Sequence, residues 1–127
     1  MQDKHLFEYA VIRIVPRVQR EEFVNVGVIL YCRQLKFLQC RYCIDEMRLR
    51  VLWDWTDIGM VMHYLEALKR ITDSGPGSGP IGQLDVASRF RWLTATRSSV
   101  VQTSKIHPGL CRNPEETLDR LFEQLVM

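Results

Sequence analysis

The sequence predicts an α+β domain, with a mainly antiparallel sheet of three to four strands covered by three helices. Short runs rich in β-branched and aromatic residues follow one another in the first third of the chain, whereas longer runs with apolar residues at helical spacing dominate the rest. The chain has 127 residues, 46% of them hydrophobic, which is near the commonest size of one domain. We therefore expect a single domain over residues 1–127.

The run Glu22–Cys32 is the most apolar and β-branched stretch of the chain. Both faces of the strand that it predicts are largely apolar, so we expect a central strand that is covered on both sides. Regular alternation would place the even-numbered residues from Val24 to Cys32 on one common face. Gly27 lies inside this strand, where a glycine is typical of a bulge or of a close approach by another backbone.

A first strand, Phe7–Val15, ends at Pro16 and is joined to the central strand by a short polar connection, which predicts an antiparallel pair. Arg13 falls among apolar neighbours of this strand and needs a partner if it is buried. Glu22 and Asn25 are within reach across the pair. A polar pair that fixes strand register is the interpretation we prefer; we also retain Arg13, Glu22 and Asn25 as candidate binding residues.

The remaining elements follow from turn signals, helical periodicity and capping residues. We predict a turn at Arg33–Lys36, a third strand at Phe37–Ile44, a weakly helical or irregular segment at Glu46–Trp53, helices at Ile58–Ile71, Ile81–Leu93 and Glu115–Val126 with Asn113 as the cap of the last, a flexible Gly/Pro/Ser loop at 74–80, a β-segment at Ser98–Ser104 and a turn at Lys105–Gly109.

The charge distribution is more informative than the net charge of +2. No carboxylate occurs between Val86 and Pro114, whereas the next segment is acidic. Arginine outnumbers lysine, and its guanidinium suits two-pronged contacts to carboxylate or phosphate. Pairing with the acidic last helix would explain these cations equally well. The candidate anion-binding residues in this segment are Arg89, Arg91, Arg97, Ser98 and Lys105.

Enzymatic and metal chemistry receive little support from the sequence. Cys40 and Cys43 would point to opposite faces of a strand, and one Cys-x-x-Cys pair without a second is a weak zinc signal. His107 precedes Pro108 in a predicted turn and could serve a hydrolase, but no neighbouring signature accompanies it. We therefore predict no metal and no cofactor.

The N-terminus does not resemble a secretory signal, and no apolar run approaches the length needed to span a membrane. We expect a cytoplasmic protein without a membrane partner, whose four cysteines are reduced.

Three segments, Tyr9–Pro16, Glu22–Val28 and Phe90–Ser98, resemble a bacterial family, domain of unknown function 3037. The resemblance runs from about residue 7 to Val126. The family has no established activity, and its members are similar in often being encoded beside HipA-like kinases. The resemblance thus implies a role with a protein partner, with a kinase of this kind as the candidate.

These observations lead to three hypotheses about function. The first is a non-enzymatic adaptor or regulatory domain that recognises an acidic protein partner through its basic residues. The second is binding of RNA or single-stranded DNA, because Phe90 and Trp92 alternate with arginines and could stack on bases. The third is a hydrolase that uses His107.

Overall fold

Five strands and five helices form in the part of the chain that the structure, a computed structural model, describes, namely residues 4–15, 22–52, 58–95 and 100–127. The prediction of an α+β fold is confirmed, although it gave too few strands and helices. In chain order the elements are β1 (His5–Ile14), β2 (Val24–Cys32), β3 (Phe37–Tyr42), α1 (Glu46–Leu52), α2 (Ile58–Asp73), α3 (Gly79–Gly82), α4 (Val86–Leu93), β4 (Val101–Thr103), β5 (His107–Cys111) and α5 (Pro114–Leu125).

The strands form one antiparallel sheet in which β2 lies between β3 and β1, and both β4 and β5 pair with the other edge of β1. Side chains of α1, α2 and α4 pack on one face of the sheet and form the larger core. Side chains of α5 pack on the opposite face and form the smaller core. The prediction of a central β2 that is covered on both sides is confirmed.

A bulge in β2 changes which residues share a face. Ile12 pairs with Gly27 and Arg13 pairs with Asn25, so Val26 is an extra residue on β2. Val26 packs in the larger core, as does Val24, whereas the even-numbered residues from Val28 to Cys32 pack in the smaller core. The prediction of one common face is therefore wrong, because the extra residue inverts the alternation.

Gly27 fulfils both of the roles that its position in a strand suggested. It lies at the bulge, and a Cβ atom added to it would lie 2.5 Å from the carbonyl oxygen of Arg41 and 2.9 Å from the Cβ atom of Tyr42. The backbone of β3 thus approaches β2 at a distance that only glycine allows.

Together, β4 and β5 follow β1 as one interrupted edge strand. Thr103 pairs with Ile12, and His107 pairs with Tyr9, so the register shifts by one residue between them. At the interruption the Ser104 hydroxyl accepts a hydrogen bond from the backbone N–H of Val11 at 2.9 Å. The prediction of a turn over 105–109 is wrong, because pairing with β1 resumes at His107 despite the Pro-Gly sequence that follows. Ser98 and Ser99 of the predicted β-segment lie outside the described residues.

Ser104→Ala should destabilise the fold by about 1–2 kcal/mol, because the buried N–H of Val11 would lose its acceptor. Urea denaturation measures the loss, and amide hydrogen exchange should show faster exchange at Val11 than in the unchanged protein. An unaltered exchange rate at Val11 would contradict the assignment of the hydroxyl as its acceptor.

The two long helices agree with their sequence signals. The predicted helix Ile58–Ile71 is confirmed as α2, and residues 53–57 before it lie outside the described residues. The last helix is confirmed as α5, and the Asn113 side chain accepts from the backbone N–H groups of Glu115 and Glu116 at 3.0 and 3.2 Å.

The predicted helix Ile81–Leu93 is two helices, α3 and α4. Asp85 begins α4, because its carboxylate accepts from the backbone N–H of Ser88 at 3.1 Å. This start sets the phase of α4 so that Phe90 and Leu93 are buried, whereas Trp92 is 39% exposed.

The loop 74–80 contains tight turns, with positive φ at Ser74, Gly77 and Gly79. The Ser74 hydroxyl donates to the carbonyl of Gly82 at 2.6 Å. Flexibility of this loop stays a prediction. Among the helices of the described ranges, none combines the length and apolar character that crossing a membrane requires.

Candidate functional site

On the side of the larger core, no helix of the described residues covers one area of the sheet. We call it the open face, and it comprises Leu6 and Glu8 of β1 with Pro108 and Leu110 of β5. Leu6 pairs directly with Leu110, and Glu8 pairs with Pro108, so the four side chains share one face. Leu6 is 57% exposed and Leu110 is 62% exposed. Two exposed aliphatic side chains thus lie side by side on neighbouring strands. In a fully covered sheet, such a pair would be buried beneath a helix.

A groove of about 1110 Å³ borders the open face. Its floor includes Leu6, Glu8 and the buried Tyr31, and its walls are the turn between β2 and β3 and the first turns of α4. The turn closes with a hydrogen bond from the backbone N–H of Lys36 to the carbonyl of Arg33 at 3.1 Å. The groove therefore lies between a hairpin turn and a helix.

Cations outnumber carboxylates in this groove. Arg33 and Lys36 come from the turn and Arg91 comes from α4, against Glu8 and Asp85. The carboxylate of Asp85 caps α4, and hydrogen bonds from the Ser88 hydroxyl and backbone N–H hold the pKa of Asp85 below its usual value. Asp85 therefore stays ionised, and three cations against two carboxylates leave the groove lining with a net charge of +1. Arg33, Lys36 and Arg91 are the groove cations.

The predicted basic residues do not form one surface. Arg89 is only 8% exposed, and its guanidinium donates to the backbone carbonyls of Leu84, Ile71 and Thr72 at 3.1, 3.2 and 2.8 Å. It therefore joins the start of α4 to the end of α2. These contacts give the buried guanidinium of Arg89 a structural role, and a binding role for Arg89 stays a prediction.

Of the other predicted cations, Arg91 is exposed and lines the groove. Lys105 is exposed at the interruption between β4 and β5. Arg97 and Ser98 lie outside the described residues. Arg33 and Lys36 are site residues that the sequence did not predict, because a turn signal does not indicate which helix the turn will face.

Arg13 and Asn25 lie at the β2 bulge, on the side of the smaller core. Arg13 pairs with Asn25 in the register, and its guanidinium carbon lies 4.0 Å from the centre of the Phe23 ring. The Asn25 side-chain N–H donates to the carbonyl of Leu125 at 3.1 Å, which ties the bulge to the end of α5. Glu22 is half-buried just before β2.

Within the described residues, the Arg13 Nε and Asn25 Oδ1 atoms are buried and have no hydrogen-bond partner. The hydrogen bond from the Asn25 side chain to Leu125 joins β2 to α5, so it serves the packing of the fold. A binding role for Arg13, Glu22 and Asn25 stays a prediction.

The cysteines and His107 are dispersed over the domain. Cys40 packs in the larger core and burial raises the pKa of its thiol to about 11, whereas Cys32 and Cys111 pack in the smaller core. In the described ranges no three His, Cys, Asp or Glu side chains gather closely enough to hold a metal ion. His107 is exposed, with its ring centre 5.3 Å from that of Tyr9.

These features define an α+β domain whose antiparallel sheet is covered by helices on both sides and has one exposed, basic and aliphatic area beside α4. The chain belongs to the family described as "Protein of unknown function (DUF3037)", whose sequence profile matches residues 9–126. The family prediction made from the sequence is confirmed. No curated protein and no solved structure matches the chain.

Proposed function

We propose that this domain is a non-enzymatic interaction module that binds an acidic segment of a partner protein on its open face. The observation that carries the proposal is the exposed pair Leu6 and Leu110 beside the groove cations. Exposed aliphatic side chains supply apolar area for binding, and the cations at the rim select acidic partners and accelerate their association.

The chemistry of the groove favours protein over nucleic acid. Binding of single strands depends on exposed aromatic platforms on which bases stack. The aromatic residue of the groove floor, Tyr31, is buried, and the floor residues beside it, Leu6 and Glu8, are not aromatic. Trp92 is exposed but borders a separate cavity with Tyr64, between α2, α4 and β4. Binding of RNA or single-stranded DNA is therefore the second candidate.

The resemblance to a family encoded beside HipA-like kinases makes such a kinase the first partner to test, by co-expression and co-purification. Both proteins would then lie in the cytoplasm. Free cysteines are typical of that reducing compartment, and all four cysteines of this chain are free.

Charge reversal tests the proposal with a control that has the same net charge. The double variant Arg33→Glu and Arg91→Glu should weaken binding of a fluorescein-labelled peptide rich in glutamate and leucine by roughly tenfold, measured by fluorescence anisotropy. The matched double variant Arg50→Glu and Arg70→Glu changes two exposed cations that lie outside the groove and the open face, and it should change the affinity by less than about twofold.

Equal losses in the two double variants would contradict the proposal, because net charge alone would then explain the binding. A labelled single-stranded RNA in the same assay tests the second candidate. Nucleic acid would replace the acidic protein as the ligand if two results were obtained together. RNA would have to bind more tightly than the peptide, and reversal of two groove cations would have to reduce the steepness of log affinity against log salt concentration by about 1.4.

A further inference from the structure

We infer that the partner segment is an amphipathic, acidic α-helix that lies across Leu6 and Leu110 and completes the helical layer beside α4. This inference rests on the proposed function and goes further, because it states the conformation of the segment and the residues that receive its apolar side. The alternative is an extended segment that adds a strand to the sheet edge.

The edge beside the open face is poorly suited to an added strand. Proline has no N–H, so Pro108 cannot donate to β1, and its position in the ladder opposite Glu8 turns its nitrogen toward the free edge. The edge is also interrupted at Ser104, where the register shifts by one residue. A strand added here would meet a missing donor and a break in register.

The dimensions and chemistry of the open face suit a helix. Three neighbouring strands, β2, β1 and β5, span about 10 Å, because strands are spaced about 4.8 Å apart. A helix with its side chains is about 10 Å wide. Apolar residues at helical spacing would cover Leu6 and Leu110, and carboxylates on the flank of the helix would reach the groove cations.

Charge and burial argue for a different protein rather than a second copy of this chain. Two open faces packed together would bring two sets of groove cations into one interface, and like charges at close range cost affinity. The acidic helix α5 is no substitute, because its apolar side chains Leu118, Leu121 and Phe122 are buried in the smaller core of its own domain. The open face therefore fits a partner helix.

The test uses two labelled peptides of identical composition, made of leucine, glutamate and alanine. One has leucines at helical spacing and the other has them at alternate positions, as in a strand. The helical peptide should bind at least about tenfold more tightly and gain helical circular dichroism on binding. The double variant Leu6→Ser and Leu110→Ser should weaken its binding by about tenfold.

The matched control, Met47→Ser with Met127→Ser, removes two exposed apolar side chains elsewhere and should change the affinity by less than about twofold. Urea denaturation of both double variants confirms that they fold. Equal affinity for the two peptides would overturn the helix while leaving the proposed function intact, whereas failure of both peptides to bind would remove the proposed function. A dimer in size-exclusion chromatography that the leucine variant dissolves would assign the open face to a second copy.

Discussion

Gly27→Ala should destabilise the domain by about 2–3 kcal/mol, because the new methyl group would be forced against β3. Its closest contacts would be the carbonyl oxygen of Arg41 at 2.5 Å and the Cβ atom of Tyr42 at 2.9 Å. The first atom is part of the backbone and the second is bonded directly to it, so neither can move aside as the end of a flexible side chain could. Relief requires that β3 separate from β2 at the bulge, which breaks pairing in the centre of the sheet.

Urea denaturation monitored by far-ultraviolet circular dichroism measures this effect. Gly75→Ala is the matched control, because the methyl group meets no atom within 4 Å and the φ angle is not positive. Its stability should lie within about 0.5 kcal/mol of the unchanged protein. Equal stability of the two variants would show that β3 does not constrain Gly27 as the distances indicate.

Arg89→Met should destabilise the domain by about 3 kcal/mol while preserving most of the apolar stem. The carbonyls of Ile71, Thr72 and Leu84 would lose a shared charged donor in a buried setting. Arg89→Lys should be less damaging but still costly, because one ammonium group cannot reproduce the planar arrangement of the guanidinium donors.

Arg91→Met is the matched control on the same helix. Its side chain is exposed and should change stability by less than about 0.5 kcal/mol, measured by the same denaturation. Its effect should appear instead as weaker binding of the acidic peptide. Of the two arginines on α4, Arg89 should therefore affect stability and Arg91 should affect peptide binding. A loss of stability in Arg91→Met as large as that in Arg89→Met would contradict this assignment.

Local signals explain what the sequence could predict. The helix α5 has a capping asparagine, a proline at the first helical position and one apolar stripe, and all three act within a few residues. The helix α2 shows the same strong periodicity. The central place of β2 follows from its apolar character on both faces, which inversion at the bulge does not alter.

Features that depend on distant parts of the chain could not be predicted in this way. The single extra residue at Val26 is defined only by its pairing with β1. Whether Arg89 or Arg91 faces inward depends on where α4 begins, and that is fixed by Asp85. The open face arises because α4 and the turn at Arg33–Lys36 lie beside Leu6 without covering it. The positions of these elements relative to Leu6 depend on tertiary packing, which local sequence patterns do not indicate.

The two-sided packing of β2 has a consequence for how the domain loses its structure. Val26 and Ile29 belong to the larger core, whereas Val28 and Leu30 belong to the smaller one, so a single strand contributes to both. Neither helical layer can detach without removing the packing of one face of that strand. Melting should accordingly proceed as a single cooperative transition, with α5 and α2 lost at the same temperature rather than in sequence.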